Sequence, residues 1–258
     1  MKLLLALLLS SLASAQPKPR LAVVIDDFGL TYPKNVPDEK WMALKYPLTY
    51  AVMPESKWST RAAQETAAAG QELILHFPFD PFLSLDLPKD ELSAEDLKKV
   101  EALFEKSLKQ VPGIVGVNNH RSYKATRHRP LMRAFMERLK ARGGYYFLDS
   151  KVSAKSVAYE EAKRAGLAAA QNDVFIDTAE IHDKPFCVKM LRQAAKLARK
   201  KGQAIAIGHH YFWGTYECLV EELPKLQAEG IELVFASALL DGGGAVARGD
   251  SPKKPRKP

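Results

Sequence analysis

The apolar run LAVVI, residues 21–25, is followed by two adjacent carboxylates, Asp26 and Asp27, where a solvated turn would need only one. The same punctuation recurs along the chain. Apolar stretches end in His76, in His120 after VNN, in Asp149, in Asp177 and in the pair His209 and His210. Carboxylate oxygens and neutral imidazole nitrogens together make the mixed donor set that a divalent ion of the zinc type takes, with three protein ligands and an open position. An ion held in that way acidifies a bound water and polarises a carbonyl. A second carboxylate beside the ligands can then take a proton, and a histidine across the site can give one. Each residue also has a plainer reading. Asp26 alone could cap a turn, and His76 or His120 could be a hydrogen-bonded histidine at the edge of a core. Asp149 could cap a following helix, and Asp177 reads as such a cap. His128 and His182 stand outside any motif and read as surface residues.

For these residues to meet, the elements that carry them must converge. Strand-like runs occupy 21–25, 48–52, 72–75, 114–117, 145–148, 174–176, 204–207 and 232–235. Helical patterns lie between them. STRAAQETAAAG stops at Gly70, SAEDLKKVEALFEKSLKQ opens with Ser93 and Asp96 in capping-box spacing, and further helices fit 130–142, 154–165, 184–201 and 216–228. The alternation predicts one α/β domain over residues 20–240, a parallel sheet either closed as a (β/α) barrel or left open. In both cases the carboxyl ends of the strands form one face, so the polar residues share a rim. Gly208 would leave room there for a substrate, and side-chain alternation turns His210 away from the side that His209 faces.

The segments VVIDDFG, ELILHFP, GVNNHRS, FLDS, NDVFID and AIGHH follow one another in an order and at intervals that resemble the motifs of the divergent polysaccharide deacetylase family, relatives of the metal-dependent carbohydrate deacetylases. The resemblance spans about residues 20–240. It implies a distorted (β/α) barrel of about seven parallel strands, with Asp26 as catalytic base, Asp27 and His76 as metal ligands and His209 as acid. Asp149 would orient a polar partner or the substrate. The better-known relatives carry a second histidine four residues after the first, where this chain has Asp80. His120 is our choice for the third ligand and Asp80 the reserve. NNHRSYKAT departs from the family's NNHMGS at Arg121 and Ser122, HFPFD stands for HLPME, and IGHHY for IGHP. The activity this implies is a metal-dependent, zinc-type hydrolysis of N- or O-acetyl groups on an envelope or extracellular polysaccharide. The alternative is a non-catalytic periplasmic glycan-binding or envelope-assembly protein on the same fold. Trp58, Tyr211, Phe212 and Trp213 are candidates for packing on sugar rings.

The 258 residues carry 38 Lys and Arg against 30 Asp and Glu, a formal charge of +8. Much of the excess sits in RGDSPKKPRKP and on helix faces such as RQAAKLARKKG, without a basic and aromatic motif for nucleic acid. A solvated surface with a disordered basic tail over 241–258 accounts for it, and adhesion to anionic envelope polymers is the weaker reading. MKLLLALLLSSLASAQ has Lys2, a short apolar run and the small residues Ala13 and Ala15, the grammar of a signal peptide over 1–15. No later segment approaches the ~20 apolar residues of a membrane span. We therefore expect a secreted or periplasmic monomer. Cys187 and Cys218 lie in helical segments without CxxC spacing, so a disulfide and a pair of buried thiols both stay open.

Overall fold

The computed structural model describes residues 17–32 and 34–241, so the segments expected as a signal peptide (1–15) and most of the basic tail (242–258) lie outside the described residues. Strand β1 (Arg20–Phe28) organises a parallel sheet. Along one edge it pairs with β8 (Gln203–His209); along the other it pairs first with β9 (Glu232–Val234) and then with β2 (Thr49–Val52). The sheet continues through β3 (Glu72–Pro78), β4 (Gly116–His120), β5 (Tyr146–Asp149) and β6 (Ala169–Gln171), and β7 (Val174–Phe175) lies beyond β8.

Only Asn172 and Asp173 separate β6 from β7, and their N–H groups donate to Asp149 of β5 and Ile205 of β8. One segment thus pairs first with β5 and then with β8. It closes a distorted ring of seven staves, β1 to β5, β6–β7 and β8, with β9 added beneath β2. The expected barrel is therefore present, although β6, two alanines and a glutamine, has no strand signal of its own. Its neighbour β5 makes it a strand.

Alternation sorts the side chains of each stave. Ala22, Val24, Ala51, Ile74, Leu148, Ala170, Ile205 and Ile207 fill the interior. Leu21, Val23, Ile25, Leu75, Phe77 and Phe147 belong to the larger core beneath the helices. Gly116 is bare because a Cβ there would stand 2.6 Å from the Tyr146 ring. At the amino end of the barrel the buried Glu72 carboxylate accepts from Thr49 Oγ1, Tyr146 OH and Ser237 N–H, which closes the base. Continued toward the carboxyl end, the same parity delivers Asp26, His76, Asn118 and His209 to the mouth.

Helices α1 (Asp38–Met42), α2 (Ser59–Ala68), α3 (Ala94–Gln110), α4 (Arg129–Arg142), α5 (Ala158–Arg164), α6 (Lys184–Lys201) and α7 (Trp213–Ala228) accompany the strands. Ser93 caps α3 by accepting from the Asp96 N–H, as its spacing predicts. His128 is not a surface residue: it is buried, accepts from Leu131 N–H as the cap of α4, and meets the Pro88 carbonyl through Nε2. Asp241, the first residue assigned to the tail, is held in place, since its backbone bridges Ala169 and its carboxylate accepts from Tyr159 OH. Among the described residues no helix is long and apolar enough to cross a membrane.

Cys187 on α6 and Cys218 on α7 form a disulfide, both fully buried. With a sequence separation of 31, the cross-link removes chain entropy from the unfolded state, worth about 3.7 kcal/mol. Replacing both cysteines with alanine should lower the unfolding free energy by about that amount in urea titration. A loss under ~1 kcal/mol would show that helix packing alone secures the pair.

Candidate metal centre

Consecutive residues of a regular strand point to opposite faces. Asp26 and Asp27 can share the barrel mouth only if the pleat is broken between them. The pairing of β1 with β2 shifts register between Ile25 and Phe28, and Asp27 takes a left-handed backbone with φ 72°. This bulge re-aims the second carboxylate. Both carboxylates, each 2 % exposed, form the floor of a cleft of about 410 Å³ whose walls include His76, His120, Arg121, Phe175 and Tyr211.

Asp27 Oδ1 stands 3.1 Å from His76 Nε2 and 3.0 Å from His120 Nδ1, and the two nitrogens are 3.1 Å apart. A tetrahedral ion with bonds of ~2.0–2.1 Å needs ligand atoms about 3.3 Å apart. The donor triangle therefore fits a zinc-sized ion after a small expansion. His76 is oriented from behind: its Nδ1 donates to Asn118 Oδ1 at 2.8 Å, and Asn118 Nδ2 donates to Asp26 Oδ1 at 2.8 Å. That arrangement turns Nε2 to the donor triangle and links the carboxylate Asp26 to the same frame. Asp80, the reserve ligand, is engaged elsewhere. Its two oxygens accept the N–H groups of Lys124 and Ala125 at 3.0 and 2.7 Å and hold the loop after β4.

The same surroundings divide the two carboxylates electrostatically. Burial pushes the Asp26 carboxyl above the usual range against the pull of His76 and His209. Burial acts on Asp27 in the same sense, but hydrogen bonds from His120 and His76 outweigh it and hold that carboxyl well below the usual range. Burial lowers the His120 imidazole, with Asp27 compensating in part. On His76 burial is overcome by Asp26 and Asp27, which raise it. The proton that this shift favours on His76 is the positive charge that a metal would replace on binding.

His209 is the register partner of Asp26 on the neighbouring stave. Its Nδ1 donates to Asp177 Oδ1 at 2.5 Å, and Asp177 Oδ2 accepts from the His209 N–H at 2.9 Å and from Thr215 Oγ1 at 2.5 Å. Burial alone would depress this imidazole; Asp177 first, then Asp27 and Asp26, raise it to about 9. It is a cation at neutral pH. Asp177 is therefore the partner of His209 and not the helix cap its position suggests. Gly208 serves the same contact: a Cβ there would stand 2.8 Å from Ile176 and 2.9 Å from Asp177 Oδ2, so the missing side chain makes room for Asp177 and not for a substrate. His210 faces the other way. Its ring lies 5.0 Å from that of Phe28, Nε2 meets Asn35 Nδ2 at 3.2 Å, and burial depresses it to about 4.

Asp149, given a catalytic role from its motif, does not line the cleft. Its oxygens accept from the N–H groups of Lys151 and Tyr159 and from Ser156 Oγ, fastening the chain that leads into α5. That connection displaces the start of α5 from the expected residue 154 to Ala158. Of the four expected sugar-packing aromatics only Tyr211 lines the cleft. Phe212 stacks on the exposed His182 at 4.1 Å, and the Trp213 indole donates to the Lys34 carbonyl. Trp58 borders a separate hollow. Phe175, inside the NDVFID segment but without a role assigned from the sequence, lies parallel to the His209 ring at 6.4 Å. Asn118, inside GVNNHRS, likewise has no role in the sequence reading, although it shares the parity of Gly116 and His120 on β4.

Comparison with known proteins gives the following. Residues 23–240 match the model of the divergent polysaccharide deacetylases. The chain is 32% identical over 234 residues to the uncharacterised protein YibQ of Escherichia coli (strain K12), which covers 90% of this chain and 71% of YibQ. The crystal structure of the uncharacterised protein ATU2773 from Agrobacterium tumefaciens C58 has a TM-score of 0.73 at 21% identity, covering 88% of this chain and 91% of that one. The catalytic domain of a peptidoglycan N-acetylglucosamine deacetylase from Eubacterium rectale ATCC 33656 has a TM-score of 0.53 at 11% identity, covering 88% and 91%. At those identities the two structures speak to the fold alone.

Because Asp177 sustains the His209 proton, Asp177→Asn should bring the His209 imidazole down from about 9 to near or below the ordinary histidine value. Ring-proton NMR titration reads this directly. An unchanged titration would show that Asp26 and Asp27, not Asp177, hold the proton.

Proposed function

The chain belongs to the divergent polysaccharide deacetylase family, and from that premise we propose that it is a metal-dependent carbohydrate deacetylase that removes N- or O-acetyl groups from an envelope or extracellular polysaccharide. One observation carries the reading: the triangle of Asp27 Oδ1, His76 Nε2 and His120 Nδ1, 3.0–3.1 Å on a side, shares one cleft with a buried carboxylate, Asp26, and the raised imidazole of His209. A divalent ion, zinc by its donor set, held by Asp27, His76 and His120 supplies a Lewis acid for the acyl oxygen and acidifies water. Asp27, an anion throughout, and His120, kept neutral by burial, are in the protonation states that ligation requires.

Asp26 receives the proton of the attacking water. Asn118 fixes its Oδ1, and burial raises its proton affinity toward what a general base needs. His209 gives its proton to the departing amine or alkoxide, and Asp177 fixes the ring and balances its charge. Acetate and a free amine or hydroxyl are the products. Tyr211 and Phe175 offer ring faces to the sugar on the wall beside His209. The disulfide fits an oxidising compartment, secreted or periplasmic, where we expect a monomer.

Acetate release from N-acetylated chitooligosaccharides and acetylated xylan tests the proposal. A chelator should abolish release and zinc restore it. Asp27→Ala should lose stoichiometric zinc, whereas His209→Ala should keep zinc and lose roughly a hundredfold or more in turnover, with a far smaller loss for His210→Ala. Zinc bound with no release from any acetylated glycan would leave a glycan-binding protein in place of a hydrolase. Zinc retained by Asp27→Ala would refute the ligand set.

The raised His76 adds a pH dependence. Its proton must leave before the metal binds, so zinc affinity should weaken as pH falls, with proton release on binding. Calorimetry in buffers of different ionisation enthalpy counts those protons, and a release that does not grow as pH falls would contradict the raised His76.

A further inference from the structure

The loops that rim the cleft are unevenly charged. The segment after β4, residues 121–128, carries Arg121, Lys124 and Arg127, and the segment after the adjacent β5, residues 150–157, carries Lys151 and Lys155; neither contains an acid. The segment after β7 carries Glu180 and Asp183 instead. Among the described residues none of the five cations forms an ion pair, in contrast to Arg129 and Arg133 on α4 just beyond, which bridge to Glu161.

Arg121 is the member of this group that lines the cleft. It is exposed and follows His120 directly in the chain, at the wall of the cleft. Its position is built. Arg121 and Ser122 are consecutive non-glycine residues at φ 45° and 63°, a backbone that L-residues seldom adopt. The Ser122 N–H donates to the Asp80 carbonyl at 3.1 Å, Asn119 Nδ2 donates to the Arg121 carbonyl at 3.2 Å, and Ser122 Oγ accepts from the Phe79 N–H at 3.0 Å. In the same sector Ser150 lines the cleft, is 1 % exposed, and its Oγ has no hydrogen-bond partner. A buried hydroxyl without a partner and an unpaired guanidinium lining the same cleft mark a place for a ligand with anionic and hydrogen-bonding groups.

We infer that the substrate is an acidic glycan, bearing a carboxylate close to the acetylated sugar, with Arg121 pairing that carboxylate, Ser150 Oγ bonding a neighbouring oxygen, and the chain running over the cationic loops after β4 and β5. The inference rests on the deacetylase reading and narrows its substrate. Arg121 is a specificity-determining residue: a planar guanidinium matches a carboxylate in two parallel hydrogen bonds, which neutral sugars cannot supply.

The test uses the zinc-loaded protein and acetylated oligosaccharides in two arms, one with the carboxylate on a lactyl ether (N-acetylglucosamine with N-acetylmuramic acid) and one with it on a uronic acid. Each is offered as the free acid and as its methyl ester. Calorimetry should find the free acid bound at least ~tenfold more tightly than the ester in one arm, which names the source of the carboxylate. That preference should fall to under about twofold in Arg121→Gln and be kept in part in Arg121→Lys. An unchanged zinc content reports that the variants fold. Equal binding of acid and ester in both arms, or a preference that survives Arg121→Gln, would overturn the inference. Acetate release without an acid preference sinks this inference alone. An acid preference in binding without acetate release sinks the hydrolase and leaves the acidic-glycan site standing.

Discussion

Two carboxylates buried side by side have both given up water and repel each other, and the mouth of this barrel is arranged around that charge. Asp27 is compensated by two imidazoles from β3 and β4, and Asp26 by the Asn118 amide and the flank of His76. The compensation is unequal, and the inequality is useful. One carboxylate stays an anion fit for a metal while the other is pushed toward the proton affinity of a base. A third buried carboxylate, Asp177, performs the opposite service for His209 and keeps it charged. The groups proposed as base and acid are thus set apart by their surroundings.

The barrel makes this possible by register. Residues far apart in the chain arrive at one level because parallel staves place Asp26 beside His209, and His76 beside Asn118. Below that level the interior is filled by small and branched apolar side chains, and at the base by the Glu72 network, so the charged layer rests on a packed floor. Two local departures from regular geometry finish the site. The bulge in β1 turns Asp27 inward, and the left-handed pair Arg121 and Ser122 sets Arg121 at the cleft wall while Ser122 bonds to Phe79 and Asp80. Each is held by hydrogen bonds or packing from a neighbouring stave.

Much of this is legible in the residues themselves. Strand ends that finish in Asp or His announce the rim, and period-2 alternation separates His209 from His210 correctly. Other features depend on contacts that sequence does not display. Asp177 looks like a cap because an Asp-Thr pair after a strand usually is one; only the neighbouring β8, with bare Gly208, shows what it holds. Asp149 sits at the end of its strand as the motif suggests, yet its oxygens are spent on the loop behind it. Asn118 and Phe175 are visible only once alternation is followed strand by strand, and β6 only through its pairing with β5. The cysteines carry no spacing signal because their helices, not their motif, bring them together.

We propose that Asp27, His76 and His120 hold one metal ion in the cleft that Asp26 and His209 also line. X-ray absorption at the zinc edge of the stoichiometrically loaded protein tests it most directly. The zinc shell should contain two imidazole nitrogens at ~2.0–2.1 Å with the remaining scatterers oxygen, from one carboxylate and water. A shell with sulfur, with three or more imidazoles, or with oxygen alone would contradict it.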